Sequence, residues 1–262
     1  MNLMRKIALS GLASLCFGCA SGLLYLDRDV IQTMNAGSVS VIYIDPVNPV
    51  TVLRYGTGDS NAYGGGASGA LVSEINAYAG ANGFEGRLAL HADEIAKFDV
   101  INRNYDAIHA ALMTVPSLQQ AKWQRLSQVD AGSSLSDLAA NARTHIVVIV
   151  HPQTMIYANV DPLAIRCRIS IYQASANFSG NRRVAENAID GVAPLGPDGS
   201  DSLPNPVFNN QYLVKGPELE QRIAALFAND GAEFQQAYAQ ALSELKPGLS
   251  SYFMGKKMAG GN

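Results

Sequence analysis

Hydrophobic positions along this chain recur with two periods, and each period predicts one kind of element. The clearest period of two lies at 163–174, where one face carries Leu163, Ile165, Cys167, Ile169 and Ile171. A strand is also predicted before it, over 145–157, whose first part, 145–150, is apolar on both faces, as is typical of a central strand. A turn at Asn159, Asp161 and Pro162 separates the two, so we predict an antiparallel hairpin. Shorter strands are predicted near 38–45 and 50–55.

Spacings of three and four residues predict the helices that cover these strands. The strongest stripe holds Ile95, Phe98, Ile101, Tyr105, Ile108 and Leu112. By this criterion we predict helices near 65–81, 93–113, 117–127, 134–143 and 217–245. Asn229, Asp230 and Gly231 would divide the last of them. The predicted fold is therefore α+β, with a small, mainly antiparallel sheet packed by amphipathic helices.

The first residues have the organisation of an export signal. Arg5 and Lys6 precede an apolar run from Ile7 to Gly18, which as a helix would span only about 18 Å of a hydrocarbon core near 30 Å. This length favours a cleaved signal over a permanent membrane span.

The end of this leader resembles a bacterial lipoprotein signal, in which a small residue precedes a cysteine that is acylated. Gly18 and Cys19 match that motif. The resemblance implies cleavage before Cys19 and a stable anchor of three acyl chains. Ala20, in place of an aspartate, implies the periplasmic face of an outer membrane. An ordinary secretory signal cleaved near Ala20 is the alternative.

Composition supports a folded domain behind the anchor. Apolar residues make up 48% and charged residues 16%, so the chain can bury a large core. We divide it into a signal peptide (1–18), a lipidated tether (19–37), a single periplasmic domain (38–245) and a flexible tail (246–262). Removing Arg5 and Lys6 moves the formal charge from -3 to -5, which argues against a nucleic-acid partner. Loss of Cys16 and acylation of Cys19 leave Cys167 without a disulfide partner.

A glycine-rich segment suggests close helix packing. Gly65, Gly69, Ser73 and Ala77 recur every four residues, which would give the predicted helix 65–81 one small-residue face. That face could pack on the domain's own sheet, or it could support self-association or contact with a bilayer interface. Gly64, Gly66 and Gly69 also satisfy GxGxxG, but no strand leads directly into them, so we do not expect a dinucleotide site.

Two features suggest an interaction surface on the predicted domain. Arg166 and Arg168 lie on the polar face of their strand, where they could meet an acidic partner or pair with acids of a covering helix. Trp123, the single tryptophan, shares little of the apolar face of its predicted helix and would be a partly exposed interface anchor.

Catalytic and metal-binding patterns are weak in this sequence. No serine lies in GxSxG, and the histidines lack ligands at the spacings that zinc sites use. We therefore expect no catalytic residues, no metal and no cofactor, although an enzyme is left open. The overall pattern resembles uncharacterised bacterial envelope lipoproteins. This implies a membrane-anchored binding or assembly component whose partner is an envelope protein or a second copy; the alternatives are a small-ligand or lipid-binding module and, third, an envelope hydrolase.

Overall fold

A mixed β-sheet forms the centre of the protein. The computed structural model describes residues 25–53, 91–127, 134–157, 163–175, 180–193 and 217–255. Its six strands are β1 (Val39–Ile44), β2 (Thr51–Leu53), β3 (Lys122–Leu126), β4 (Ile146–Tyr157), β5 (Leu163–Ala174) and β6 (Asn181–Ala193). Their order is β3-β1-β4-β5-β6, and β2 pairs with the end of β4 beyond β1.

The predicted α+β class is confirmed, but the sheet is mixed rather than mainly antiparallel. β4 and β5 form the predicted hairpin, and β6 continues it in antiparallel pairing. On the other side, β1 runs parallel to both β3 and β4, and β2 runs parallel to β4. A hydrophobic pattern shows which faces of a strand are buried, but it does not fix the direction of the neighbouring strand. β1 is buried at all its positions, as strands of parallel pairs commonly are.

Helices cover both faces of this sheet. They are α1 (Arg28–Ala36), α2 (Ala92–Phe98), α3 (Val100–Leu112), α4 (Leu135–Asn141) and α5 (Pro217–Phe253). The stripe predicted as one helix over 93–113 is divided at Asp99, which has a left-handed backbone with φ 54°. α5 is divided at Asn229, Asp230 and Gly231, as predicted, and these three residues also have positive φ.

Some predicted elements differ from the structure. The prediction of a helix over 117–127 is wrong, because a 3-10 helix at Pro116–Leu118 is followed there by strand β3. β6 was not predicted, since its polar sequence shows little alternation. The predicted helix 65–81 lies outside the described residues.

Both ends of the domain are ordered further than the sequence predicts. Helix α1 lies inside the expected tether, and Leu26 before it is buried with only 2% exposure. The Leu26 amide donates a 3.0 Å hydrogen bond to the carbonyl of Tyr252. α5 continues to Phe253, so the first part of the expected tail is helical. Burial of Leu26, Tyr252 and Phe253 explains this order, because apolar contact offsets the entropy lost on fixing the chain.

The core has two parts, one on each face of the sheet. The larger part packs α1, α2, α3 and α5 against one face, at which Val41, Val148 and Cys167 are fully buried. The smaller part packs α4 against Ile42, Val147, Ile149 and Tyr172 on the opposite face. Among the described helices, four thus pack on one face of the sheet and α4 packs on the other.

Candidate functional site

The predicted interaction residues that the structure describes do not form one site. Trp123 lies on β3 opposite Val41, on the face that carries the larger core. Arg166 and Arg168 alternate with Cys167 on β5, so they lie on the second face. The other candidates, Cys19, Gly65, Gly69, Ser73 and Ala77, lie outside the described residues.

Arg166 makes a bidentate ion pair with Asp190. The two residues are opposite each other in the β5–β6 register, with Nε–Oδ1 and Nη2–Oδ2 distances of 2.8 and 2.7 Å. Pairing with an acid was one of the two alternatives for this arginine, but the acid comes from the neighbouring strand rather than from a covering helix. The geometry is that of a strong, orienting guanidinium–carboxylate pair.

Arg168 lies opposite His151 of β4 on the same polar face. Burial, followed by the positive charge of Arg168, lowers the pKa of His151 from 6.5 to about 4. Gln153, next on this face, is buried and donates a 3.4 Å hydrogen bond to Thr51 Oγ1 on β2. A polar row therefore crosses the sheet from β2 to β6, and at neutral pH its histidine is uncharged.

Trp123 is half-buried and packs against the larger core, so its structural role differs from that of an exposed anchor. Its ring meets His109 of α3 edge-on, with a centroid distance of 4.4 Å. The indole Nε1 is buried, and among the described residues it has no hydrogen-bond partner. Trp123 therefore closes the larger core at the edge of the sheet.

A cluster of rings and charges continues from Trp123 along this edge. His109 stacks on Tyr105, one helical turn earlier, and the Arg125 guanidinium lies 4.5 Å from the centre of the Tyr105 ring. Arg125 Nε also donates to both carboxylate oxygens of buried Asp45, at 2.9 and 3.1 Å. We call Asp45, Tyr105, His109, Trp123 and Arg125 the edge cluster. Sequence analysis missed it, because only the four-residue spacing of Tyr105 and His109 was visible along the chain.

A second polar group was also missed because it lies inside the core. Asn104 is fully buried; its Nδ2 donates to Thr154 Oγ1 at 3.0 Å, and its Oδ1 accepts from the Tyr238 hydroxyl at 2.7 Å. Burial raises the pKa of Tyr238, and also that of Tyr43, whose buried hydroxyl has no hydrogen-bond partner among the described residues. Both tyrosine hydroxyls are therefore neutral at physiological pH. The hydrogen bonds of Asn104 join α3 to β4 and α5.

Cys167 has the environment of a structural thiol. It is fully buried, and burial together with the negative charge of Asp190 raises the pKa of its thiol. Because the thiolate is the nucleophilic form, this cysteine is poorly suited to covalent catalysis.

No metal-binding group is present in the described part of the chain, where no three His, Cys, Asp or Glu residues lie close enough to share an ion. The described helices also include none that is both long and apolar enough to cross a bilayer.

An open groove of about 530 Å³ lies between α3 and α5. Its lining includes Ala107, Ala110 and Leu242 together with the charged residues Arg103, Asp106 and Lys246. Its volume is in the range of ligand sites, and its lining carries charges of both signs.

Comparisons with known proteins add little to this description. No family model and no curated protein matches the sequence. Among solved structures, a hypothetical protein from Chlamydia trachomatis is similar to this chain with a TM-score of 0.24 and 10% sequence identity. The match covers 82% of this chain and 98% of that chain.

Proposed function

We propose that this protein is a membrane-anchored lipoprotein of the bacterial envelope that acts as a binding or assembly component. The observation that carries the proposal is the short distance along the chain between Cys19 and the folded domain. Leu26, which is buried and hydrogen-bonded to Tyr252, lies seven residues after Cys19. Fully extended, that linker would reach about 25 Å, so an acylated Cys19 would hold the whole domain against a membrane surface.

The edge cluster supports a binding function for the anchored domain. Among the described strands β3 lies at one edge of the sheet, and an extended partner segment can add to such an edge by main-chain hydrogen bonds. Lys122 and Gln124 of β3 are exposed beside the half-buried ring of Trp123. The opposite edge strand, β6, instead carries Arg182, Arg183, Glu186 and Asp190, charges of the kind that protect an edge from pairing.

Two experiments test this proposal. Cys19→Ser should move the protein from the membrane fraction to the soluble periplasmic fraction; membrane retention of this variant would contradict the anchor. A photo-crosslinking amino acid at Gln124 in the native host should capture an envelope protein or a second copy. The same amino acid at exposed Ala232 on α5 is the matched control, and equal capture at both positions would argue against β3 as the binding edge.

A small-ligand or lipid-binding module is the second candidate, supported by the groove between α3 and α5. It predicts that the natively purified protein carries a bound lipid or metabolite. Native mass spectrometry showing only the mass of the acylated chain would contradict it.

A further inference from the structure

We infer that the surface around Tyr25, α1 and the C-terminal end of α5 faces the bilayer, and that the kink in α5 is directed away from it. The inference rests on the proposed lipid anchor at Cys19. It adds an orientation to that proposal and assigns a membrane contact to Tyr25.

The first argument compares the tether with the size of the domain. The described part of the chain has 156 residues, and a globular domain of that size has a radius of gyration of about 15 Å, which for a solid sphere means a diameter of about 39 Å. The tether between Cys19 and Leu26 reaches only about 25 Å. The side of the domain opposite Leu26 is therefore beyond the reach of the anchor.

The second argument locates the attachment point at one end of the domain. Leu26 bonds to Tyr252 near the end of α5, and the left-handed Gly255 lies against Ile31 of α1. From Tyr252 back to Ala232, beside the kink, the helix measures about 30 Å. α1 and the kink are thus at opposite ends of the long helix.

The third argument concerns exposed apolar side chains. Among the described residues, the large hydrophobic side chains that are exposed belong to Tyr25, Val47 and Val192. Val192 of β6 lies opposite Ala164 of β5, and Ala164 lies opposite Met155 of β4. Met155 is nine residues along β4 from Ile146. The Ile146 amide donates a hydrogen bond to the carbonyl of Ser38, which follows α1. Because nine residues of a strand measure about 30 Å, Val192 lies about 30 Å along the sheet from α1. Val47 follows Ile44, the end of β1 that is farther from α1. Tyr25, 42% exposed and next to Leu26, is therefore the one of the three that the tether brings to the membrane.

Tyrosine suits this position because its ring is apolar while its hydroxyl stays hydrated, a combination enriched at membrane–water interfaces. The charged residues beside it are Asp27, Arg28 and Asp29, all exposed. With two acids to one base, this helix start is not attracted to anionic lipids. The anchor supplies the affinity for the membrane, and the short tether and Tyr25 together set the orientation.

Depth-dependent fluorescence quenching tests the orientation. Full-length acylated protein carrying Gln32→Cys or Ala232→Cys is labelled with a dye and reconstituted in vesicles of phosphatidylethanolamine and phosphatidylglycerol that contain a headgroup-nitroxide lipid. Both positions are exposed, and buried Cys167 does not compete for the dye. We expect quenching at least three-fold stronger at Gln32→Cys. Equal quenching at the two positions, or stronger quenching at Ala232→Cys, overturns the inference.

Two further variants test its cause. A twenty-residue Gly/Ser insertion between Cys19 and Tyr25 should bring the two labels within two-fold of each other, and Tyr25→Ser should at least halve the difference between them. An unchanged difference in both variants overturns the roles given to the tether and Tyr25. The intact mass of each sample separates the two proposals: unacylated Cys19 contradicts the anchor itself, whereas acylated protein with equal quenching contradicts only the orientation.

Discussion

The Tyr238 hydroxyl donates a 2.7 Å hydrogen bond to Asn104 Oδ1 inside the core, where it connects α5 to α3. Tyr238→Phe removes this donor, so the buried Asn104 Oδ1 loses the hydrogen bond from the tyrosine hydroxyl. We expect the free energy of unfolding to fall by about 1–3 kcal/mol, the usual cost of an unsatisfied buried polar group, as measured by urea denaturation. Tyr25→Phe, at an exposed tyrosine, is the control. An equally small loss in both variants would show that the buried bond contributes little.

Gly191 of β6 lets α5 approach the sheet closely. A Cβ at this position would overlap the carbonyl oxygen of Ala241 and lie 2.7 Å from the amide nitrogen of Leu245. Both are helix backbone atoms that cannot move independently, so Gly191→Ala should lower the free energy of unfolding by about 3 kcal/mol or more. Gly180→Ala is the matched control, because a Cβ there meets nothing within 4 Å. Similar thermal midpoints for the two variants would contradict this packing.

His151 should make the domain less stable in mild acid. Its pKa is about 4 in the folded protein against 6.5 for the free side chain, so between these values the unfolded chain binds more protons. Stability contributed by this histidine is therefore present above pH 6.5 and is lost as the pH falls toward 4. We expect His151→Leu to reduce the difference in unfolding free energy between pH 7 and pH 4.5 by about 2 kcal/mol. Parallel pH dependences for wild type and variant would refute this assignment.

Cys167 should report on global unfolding. In a Cys19→Ser variant that lacks residues 1–18 it is the remaining cysteine, and it is fully buried with a raised thiol pKa. We expect negligible reaction with a thiol reagent in buffer, and complete reaction in denaturant. Across a urea series, the labelled fraction should follow the loss of circular dichroism. Rapid labelling of the native protein would mean that β5 opens locally and is less firmly packed than its burial indicates.

The sequence predicted best the elements whose hydrophobic pattern is strong and local. The range given for β5 matches the structure, and β4 differs by one residue, because residues on a strand with one or two buried faces must be apolar at fixed intervals. The break in α5 was visible because Asn, Asp and Gly tolerate left-handed backbone. Prediction failed at 117–127, where pairing of Trp123 with Val41 on β1 overrides a helix-like composition.

The predicted site residues fared differently from the strands. Alternation placed Arg166 and Arg168 on the face opposite Cys167, but it could not identify Asp190 as the partner of Arg166, since that contact depends on the register of β6. The edge cluster joins Asp45, Tyr105 and Arg125, which lie far apart along the chain.

By itself, then, the sequence determined the α+β class, the β4–β5 hairpin and the apolar faces of its helices, since these follow from local periodicity. Only the tertiary structure decided the parallel pairing of β1, the burial of Trp123 and the docking of Leu26 on Tyr252. These depend on contacts between segments distant in sequence, whose free energy is gained only when the whole core assembles. Docking of Leu26 places the start of the folded part seven residues after Cys19, and the proposed anchor rests on that short distance.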